Sequence, residues 1–139
     1  IDEPLFHDFM DARIWLETGS ARRACRNIYE STFAEMSDIA SRIAPGAEDL
    51  PGMIYRYHYL LTQASGNSLF SMMFRAFEPV ITTLITAYYT GPYADIPAEA
   101  AMHHELLDHI RAKDEEAAAE CAERLLRLGM DALGRKYRK

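Results

Sequence analysis

Residues 102–110, MHHELLDHI, hold three of the chain's five histidines. Their spacing comes close to the zinc-hydrolase pattern H-E-x-x-H, in which two histidines one helical turn apart bind the ion and the glutamate activates water. His104 and Glu105 open that pattern, but the next histidine is His109, five residues on. A five-residue step turns a helical side chain by roughly 140°, against ~40° for an i,i+4 pair. Two ligands pointing so far apart cannot share one small tetrahedral ion. The i,i+4 partner of His104 is Asp108, and such a pair reads as a solvated helix face. No Ser/His/Asp, Cys/His or paired-carboxylate arrangement follows from spacing elsewhere, so no catalytic residue and no enzyme activity is expected.

Other residues stand out against their apolar surroundings. Arg13 lies between Phe9, Met10 and Ile14, where a charge needs a partner. Glu17, one turn on, is the plain candidate. His58, in YRYHYLL, has Ile54, Leu61 and Thr62 on neighbouring turns and reads by itself as a satisfied core histidine. His103 reads the same way. Arg75 is a second arginine in an apolar stretch. The tyrosines of YRYHY and Tyr88-Tyr89 supply packing bulk with a polar tip, and Met72-Met73 suit an adaptable core or dimer surface. Cys25 and Cys121 show no CxxC spacing and read as reduced, buried thiols of a cytoplasmic protein.

These side chains must be held by a scaffold, and 139 residues suffice for one domain with a single core. With 49% hydrophobic and 26% charged residues the composition is globular. No apolar run approaches the roughly 20 residues that span a bilayer, and the N-terminal residues lack a signal-peptide pattern. A net charge of −6 argues against these residues gripping nucleic acid by phosphate neutralisation. Arg22, Arg23 and Arg26 form one basic cluster. The other, Arg135, Lys136, Arg138 and Lys139, reads as a helix C-terminus complementing its dipole.

The periodicity is helical almost throughout, and no strand is expected. A first helix runs through PLFHDFMDARIWLETGSARRACRN, where Gly19-Ser20 is a point of kinking or splitting. A second spans about 28–44 and stops at Pro45-Gly46. MIYRYHYLLTQAS forms a third, closed by Gly66-Asn67, and Asn67 caps the next. That next segment, SLFSMMFRAFEPVITTLITAYY, is apolar almost all round, so it belongs at the centre or against a partner chain, with a kink at Pro79. After TGPYADIP, Pro97 suits the first turn of the helix bearing HHELLDHI. Asp114 then caps a last helix rich in alanine and leucine. The expectation is all-α: an antiparallel bundle of six or seven helices with short connections.

The order of four pieces, DARIWLETGSARRA, YHYLLTQASGNSLF, HHELLDHIRAKDEEAAAECA and the helical layout joining them, resembles the FadR-type C-terminal ligand-binding (FCD) domain of GntR-family bacterial transcription regulators. The resemblance covers nearly the whole chain. It implies an effector-binding and dimerisation domain over residues 1–139, a homodimer, and a small organic acid or acyl-type metabolite as effector. It also implies DNA contact only through a winged helix-turn-helix domain that these residues do not contain. An arginine at the position of Arg13 faces the cavity in that family and grips a ligand carboxylate.

Many members of the family hold a divalent metal with an aspartate and three histidines. By position, two of the histidines are His58 and His103, the latter 11 residues before Asp114. Ile54 stands at the aspartate position and Leu125 at that of the last histidine, so two of four ligands are aliphatic here. The resemblance therefore implies a metal-free pocket, without cofactor, lined by Arg13, Ile54, His58, Arg75, His103, Cys121 and Leu125. A partial metal site of His58, His103 and Cys121 stays open as an alternative. Two other readings are a TetR-type ligand domain, which lacks the match at His58, Asn67, His103 and Asp114, and a ferritin-like metalloenzyme. The latter needs paired Glu-x-x-His motifs, whereas Glu99 to His103 is a four-residue step.

Overall fold

Capping side chains set most of the helix starts. Asp2, Asn67, Asp95 and Asp114 each accept a hydrogen bond from a backbone N–H of the first turn that follows, satisfying a donor with no intrahelical partner. The computed structural model describes residues 2–135, and among them lie seven helices and no strand. They are α1 (Glu3–Asn27), α2 (Glu30–Arg42), α3 (Leu50–Ala64), α4 (Ser68–Ala76), α5 (Glu78–Tyr89), α6 (Ile96–Arg111) and α7 (Glu115–Gly134). The all-α bundle expected from periodicity is observed. Lys136, Arg138 and Lys139 of the C-terminal basic cluster lie outside the described residues.

Two local expectations are corrected. Gly19-Ser20 does not split α1, which runs unbroken for 25 residues. Ser20 turns its hydroxyl onto the Leu16 carbonyl at 2.8 Å, so its polar group is satisfied inside the helix. At Pro79 the outcome is a break instead of a kink. Pro79 has no N–H to offer residue 75, so α4 ends at Ala76 and α5 starts afresh with Pro79 in its first turn, at 68° to α4. The long apolar segment thus becomes two short helices. Among the described residues no single helix is long and apolar enough to cross a membrane.

The helices pack around two joined apolar clusters. The larger draws on every helix, with Tyr57, Leu61, Phe74, Ile81, Leu106 and Cys121 among its buried members. The smaller joins Phe6, Met10 and Ile14 of α1 to Leu84 of α5 and Leu126 of α7. Near the other end of α1, Arg22 and Arg26 pair with Glu116 and Glu115 in the first turn of α7 at 3.1 and 3.3 Å. The start of α1 meets the end of α7 and the reverse, so the two run antiparallel. At the α6–α7 turn Lys113 takes the left-handed conformation (φ 58°). There the N–H groups of Lys113 and Asp114 reach back to the carbonyls of Ile110 and His109, which closes α6 and aims α7 back along the bundle. Asp114 Oδ1 accepts from the Ala117 N–H at 3.1 Å. We expect Asp114→Ala to cost about 1 kcal/mol, read as a melting temperature lowered by a few degrees with no change in helical circular dichroism at 25 °C. An unshifted melt would show that the cap contributes nothing.

Candidate functional site

Because α1 is unbroken, Arg13 and Glu17 fall one turn apart on its inward face. There Arg13 is 7% exposed and Glu17 fully buried. Arg13 Nε donates to Glu17 Oε2 at 2.6 Å. The other carboxylate oxygen, Oε1, meets Nδ1 of His58 on α3 in a short contact. The far nitrogen of His58, Nε2, lies 3.3 Å from Nε2 of His103 on α6. His103 is anchored in turn by its Nδ1, 2.6 Å from the Glu99 carbonyl oxygen. Tyr57 donates its hydroxyl to the His103 carbonyl at 2.7 Å and packs its ring edge-on against the imidazole. A continuous buried chain, Arg13–Glu17–His58–His103, ties α1, α3 and α6 together.

The chemistry of this chain assigns its protons. A carbonyl oxygen only accepts, so His103 Nδ1 carries the proton, and Nε2 of the neutral ring is left with a lone pair. Burial and the neighbouring His58 push the His103 pKa down to about 3, which keeps that ring neutral. His58 Nδ1 faces a carboxylate, which also accepts. His58 satisfies both contacts only as a donor at both nitrogens, that is, as an imidazolium. For Glu17, burial alone would raise the pKa, but His58 and Arg13 together hold it down to about 2. Two cations then share one carboxylate, and the cluster carries an excess positive charge.

Beside this chain lies a cavity of about 50 Å³. Arg13 and His58 form its charged wall, and Leu84, Ile85, Leu125 and Leu126 its apolar one. Glu99, from the first turn of α6, closes the site from another side and is 4% exposed. Tyr89 donates its hydroxyl to Glu99 Oε2 at 3.1 Å. Tyr88 lines the cavity and takes the Asp95 N–H on its own hydroxyl oxygen at 3.0 Å. Burial pushes the Glu99 pKa up to about 7, partly countered by hydrogen bonds from Tyr88 and Tyr89 and by the Arg13 charge. Neither Nη of Arg13 has a hydrogen bond among the described residues; its only one is through Nε to Glu17.

A model of the FCD domain matches residues 8–128. The chain belongs to the FCD domain family. It is the family to which the sequence motifs pointed, the FCD domain of GntR-type regulators. Of the solved structures, E. coli McbR/YncC superposes with a TM-score of 0.81 at 18% identity, over 99% of this chain and 68% of that one. At that identity the likeness speaks for the fold. No curated protein sequence matches the chain.

In this FCD domain the expected site residues separate into two groups. Arg13, His58 and Leu125 line the cavity, and His103 stands directly behind His58. Ile54 is buried in the larger apolar cluster and does not line the cavity. Arg75 lies exposed on α4 with its guanidinium 5.9 Å from the Tyr59 ring, away from the site. Cys121 is fully buried and directs Sγ at the Met102 carbonyl (3.6 Å); burial and Glu105 push its pKa up to about 12. A protonated thiol turned elsewhere does not complete a set with the histidines. Among the described residues no three His, Cys, Asp or Glu side chains gather as metal ligands. The donors present, two imidazoles of which one is engaged with Glu17 on its far nitrogen, do not fit a tightly held transition metal.

The sequence does not mark Glu99, Tyr88 or Tyr89 as site residues, and it marks Glu17 only as a partner for Arg13. The one available signal was spacing: Glu99 precedes His103 by one turn, as Arg13 precedes Glu17. Of the outer histidines, His104 is exposed, as the sequence suggested, and His109 pairs with Glu105 at 3.1 Å.

The Glu99 shift makes a pH prediction. Its pKa rises from 4.5 unfolded to about 7 folded, so between these values the folded state binds the extra proton and stability falls as pH rises. His103, lowered from 6.5 to about 3, acts with opposite sign over an overlapping range. The comparison of wild type with Glu99→Gln isolates the first group. Relative to the variant, wild type should lose roughly 3 kcal/mol between about pH 4.5 and 7. Chemical denaturation at intervals of pH checks this; a pH-independent difference would refute it.

Proposed function

We propose that these residues are the effector-sensing domain of a GntR-family transcription regulator and that a small carboxylic acid binds in the cavity lined by Arg13, His58 and Glu99. The observation that carries this reading is Arg13: a buried guanidinium at a cavity wall with both Nη groups unused. The planar guanidinium fork matches a carboxylate, and the excess positive charge of the cluster favours an anion. Size selects within the class. A water needs about 10–15 Å³ in such a cavity, so 50 Å³ suits a handful of heavy atoms. A compact acid is favoured over an acyl chain.

In this reading the domain is cytoplasmic, metal-free and without catalysis. It acts by population shift: the acid binds one bundle geometry better and biases DNA-reading domains outside these residues. Titration calorimetry with propanoate tests the site. Wild type should bind, and Arg13→Met, still folded by circular dichroism, should lose at least about tenfold in affinity, the loss of a charge-assisted hydrogen-bonded pair. Equal binding by the variant would refute the assignment.

Dimerisation forms part of the proposal. Of the nine residues of α4 only Phe74 is buried, while Leu69, Met72, Met73 and the following Phe77 are exposed, as is Trp15 on α1. Beside them Phe9, Leu16, Phe74 and Ile81 help to line an apolar groove of about 210 Å³. A groove and protruding apolar side chains on one face suit a second copy, because two-fold pairing sets each against the other. Sedimentation at micromolar concentration should report a dimer, and Met72→Glu a monomer. A wild-type monomer would count against this face.

A further inference from the structure

A second polar group in the cavity lining narrows the class of acid. Resting on the carboxylate reading above, we infer that the effector carries a hydrogen-bond donor, a hydroxyl or an amino group, on the carbon next to its carboxylate, and that Glu99 receives it. Arg13 offers only donors, so it fixes the carboxylate end. Glu99 is the buried acceptor among the groups lining the cavity. Tyr89 and Tyr88 both bond to it, and a carboxyl group with two oxygens still has a lone pair to offer beyond those two bonds. Of the other lining groups, His58 is engaged with Glu17 and His103 and the Tyr88 hydroxyl takes the Asp95 N–H, while Leu84, Ile85, Leu125 and Leu126 are aliphatic.

In about 50 Å³ a ligand that touches both polar walls has no room for a spacer. Its two polar groups must sit on neighbouring atoms. A plain acid would leave a methylene or methyl against a buried carboxyl group. With Glu99 ionised, a 2-keto acid would set an acceptor against an acceptor. Sites built to bond a ligand's O–H or N–H reject analogues lacking it, because the protein group is left unpaired.

Four three-carbon acids of near-equal size separate these cases: propanoate, 2-hydroxypropanoate, alanine and pyruvate. Calorimetric titration of the protein with each, at a pH above about 8 where Glu99 is ionised, should rank 2-hydroxypropanoate, alanine or both about tenfold or more ahead of propanoate and pyruvate. Which of the two leads identifies the donor as hydroxyl or ammonium. Glu99→Leu should erase the preference while keeping the requirement for Arg13. If that variant does not fold, the wild-type ranking decides alone. Propanoate or pyruvate binding as tightly as the better donor-bearing acid, with binding still lost in Arg13→Met, would overturn this inference and leave the carboxylate reading intact. If no acid of the four binds in an Arg13-dependent way, that reading fails, and this inference with it.

Discussion

The Glu17 carboxylate, buried between the Arg13 guanidinium and the His58 imidazole, is the interaction on which the site depends. It fixes the position of Arg13, the orientation of the His58 ring and, through His58, the alignment of α3 with α6. Removing one partner from a buried ion pair typically costs about 3–5 kcal/mol, because the other charge is left without compensation. Removing Glu17 would strand two cations at once. An apolar substitute for the whole cluster could be at least as stable. The bundle therefore carries these charges at some expense to stability, and what it gains is a polarised cavity wall. Arg13 also contacts the outside: it borders the α1–α4 groove as well as the cavity, with its guanidinium 5.9 Å from the Phe74 ring. In a close-packed interior, displacement of that group is felt on both sides of α1.

The fold was largely legible because its signals are local. Apolar spacing marks the helices, and Asn67 and Asp114 mark starts by their own chemistry. Where the reading failed, tertiary or backbone constraints outweighed propensity. Gly19-Ser20 does not break α1, since an inward hydroxyl bonded to Leu16 leaves nothing unsatisfied. Pro79 does more than kink its segment, since a 68° turn lets α5 pack Ile81 and Leu84 inward while α4 keeps Phe74 in the core.

The site was legible only in part, for a related reason. Arg13 and Glu17 announce themselves as charges on an apolar stripe, and one turn of helix makes them partners. His58 and His103 are 45 residues apart, and the resemblance to a family was what brought them together. Glu99 gave no such signal. An acidic residue in the first turn of a helix is ordinarily exposed and favoured by the helix dipole, and nothing in PAEAAMHH says that this one is buried against Tyr89. Arg75 misled in the opposite direction: an arginine in an apolar stretch looked buried, but the break at Pro79 turns α4 so that the residue faces solvent.

Ile54 and Leu125, which the family resemblance sets at two metal-ligand positions, do different work here. Ile54 is absorbed into the core one turn before His58 and touches the cavity only through its neighbours. Leu125 lines the cavity and supplies part of its apolar wall. Losing the two donors removes coordination, but the charges that remain matter as much. An imidazolium at His58 has no lone pair to give, and Arg13 adds a second fixed positive charge beside it. A divalent cation placed there would meet repulsion as well as too few ligands, whereas a carboxylate meets attraction from both. In the carboxylate reading, aliphatic groups at the expected ligand positions together with the arginine and the histidine pair favour an anion over a metal ion. Glu99, whose pKa burial raises to about 7, is a wall group whose charge can follow that of the occupant.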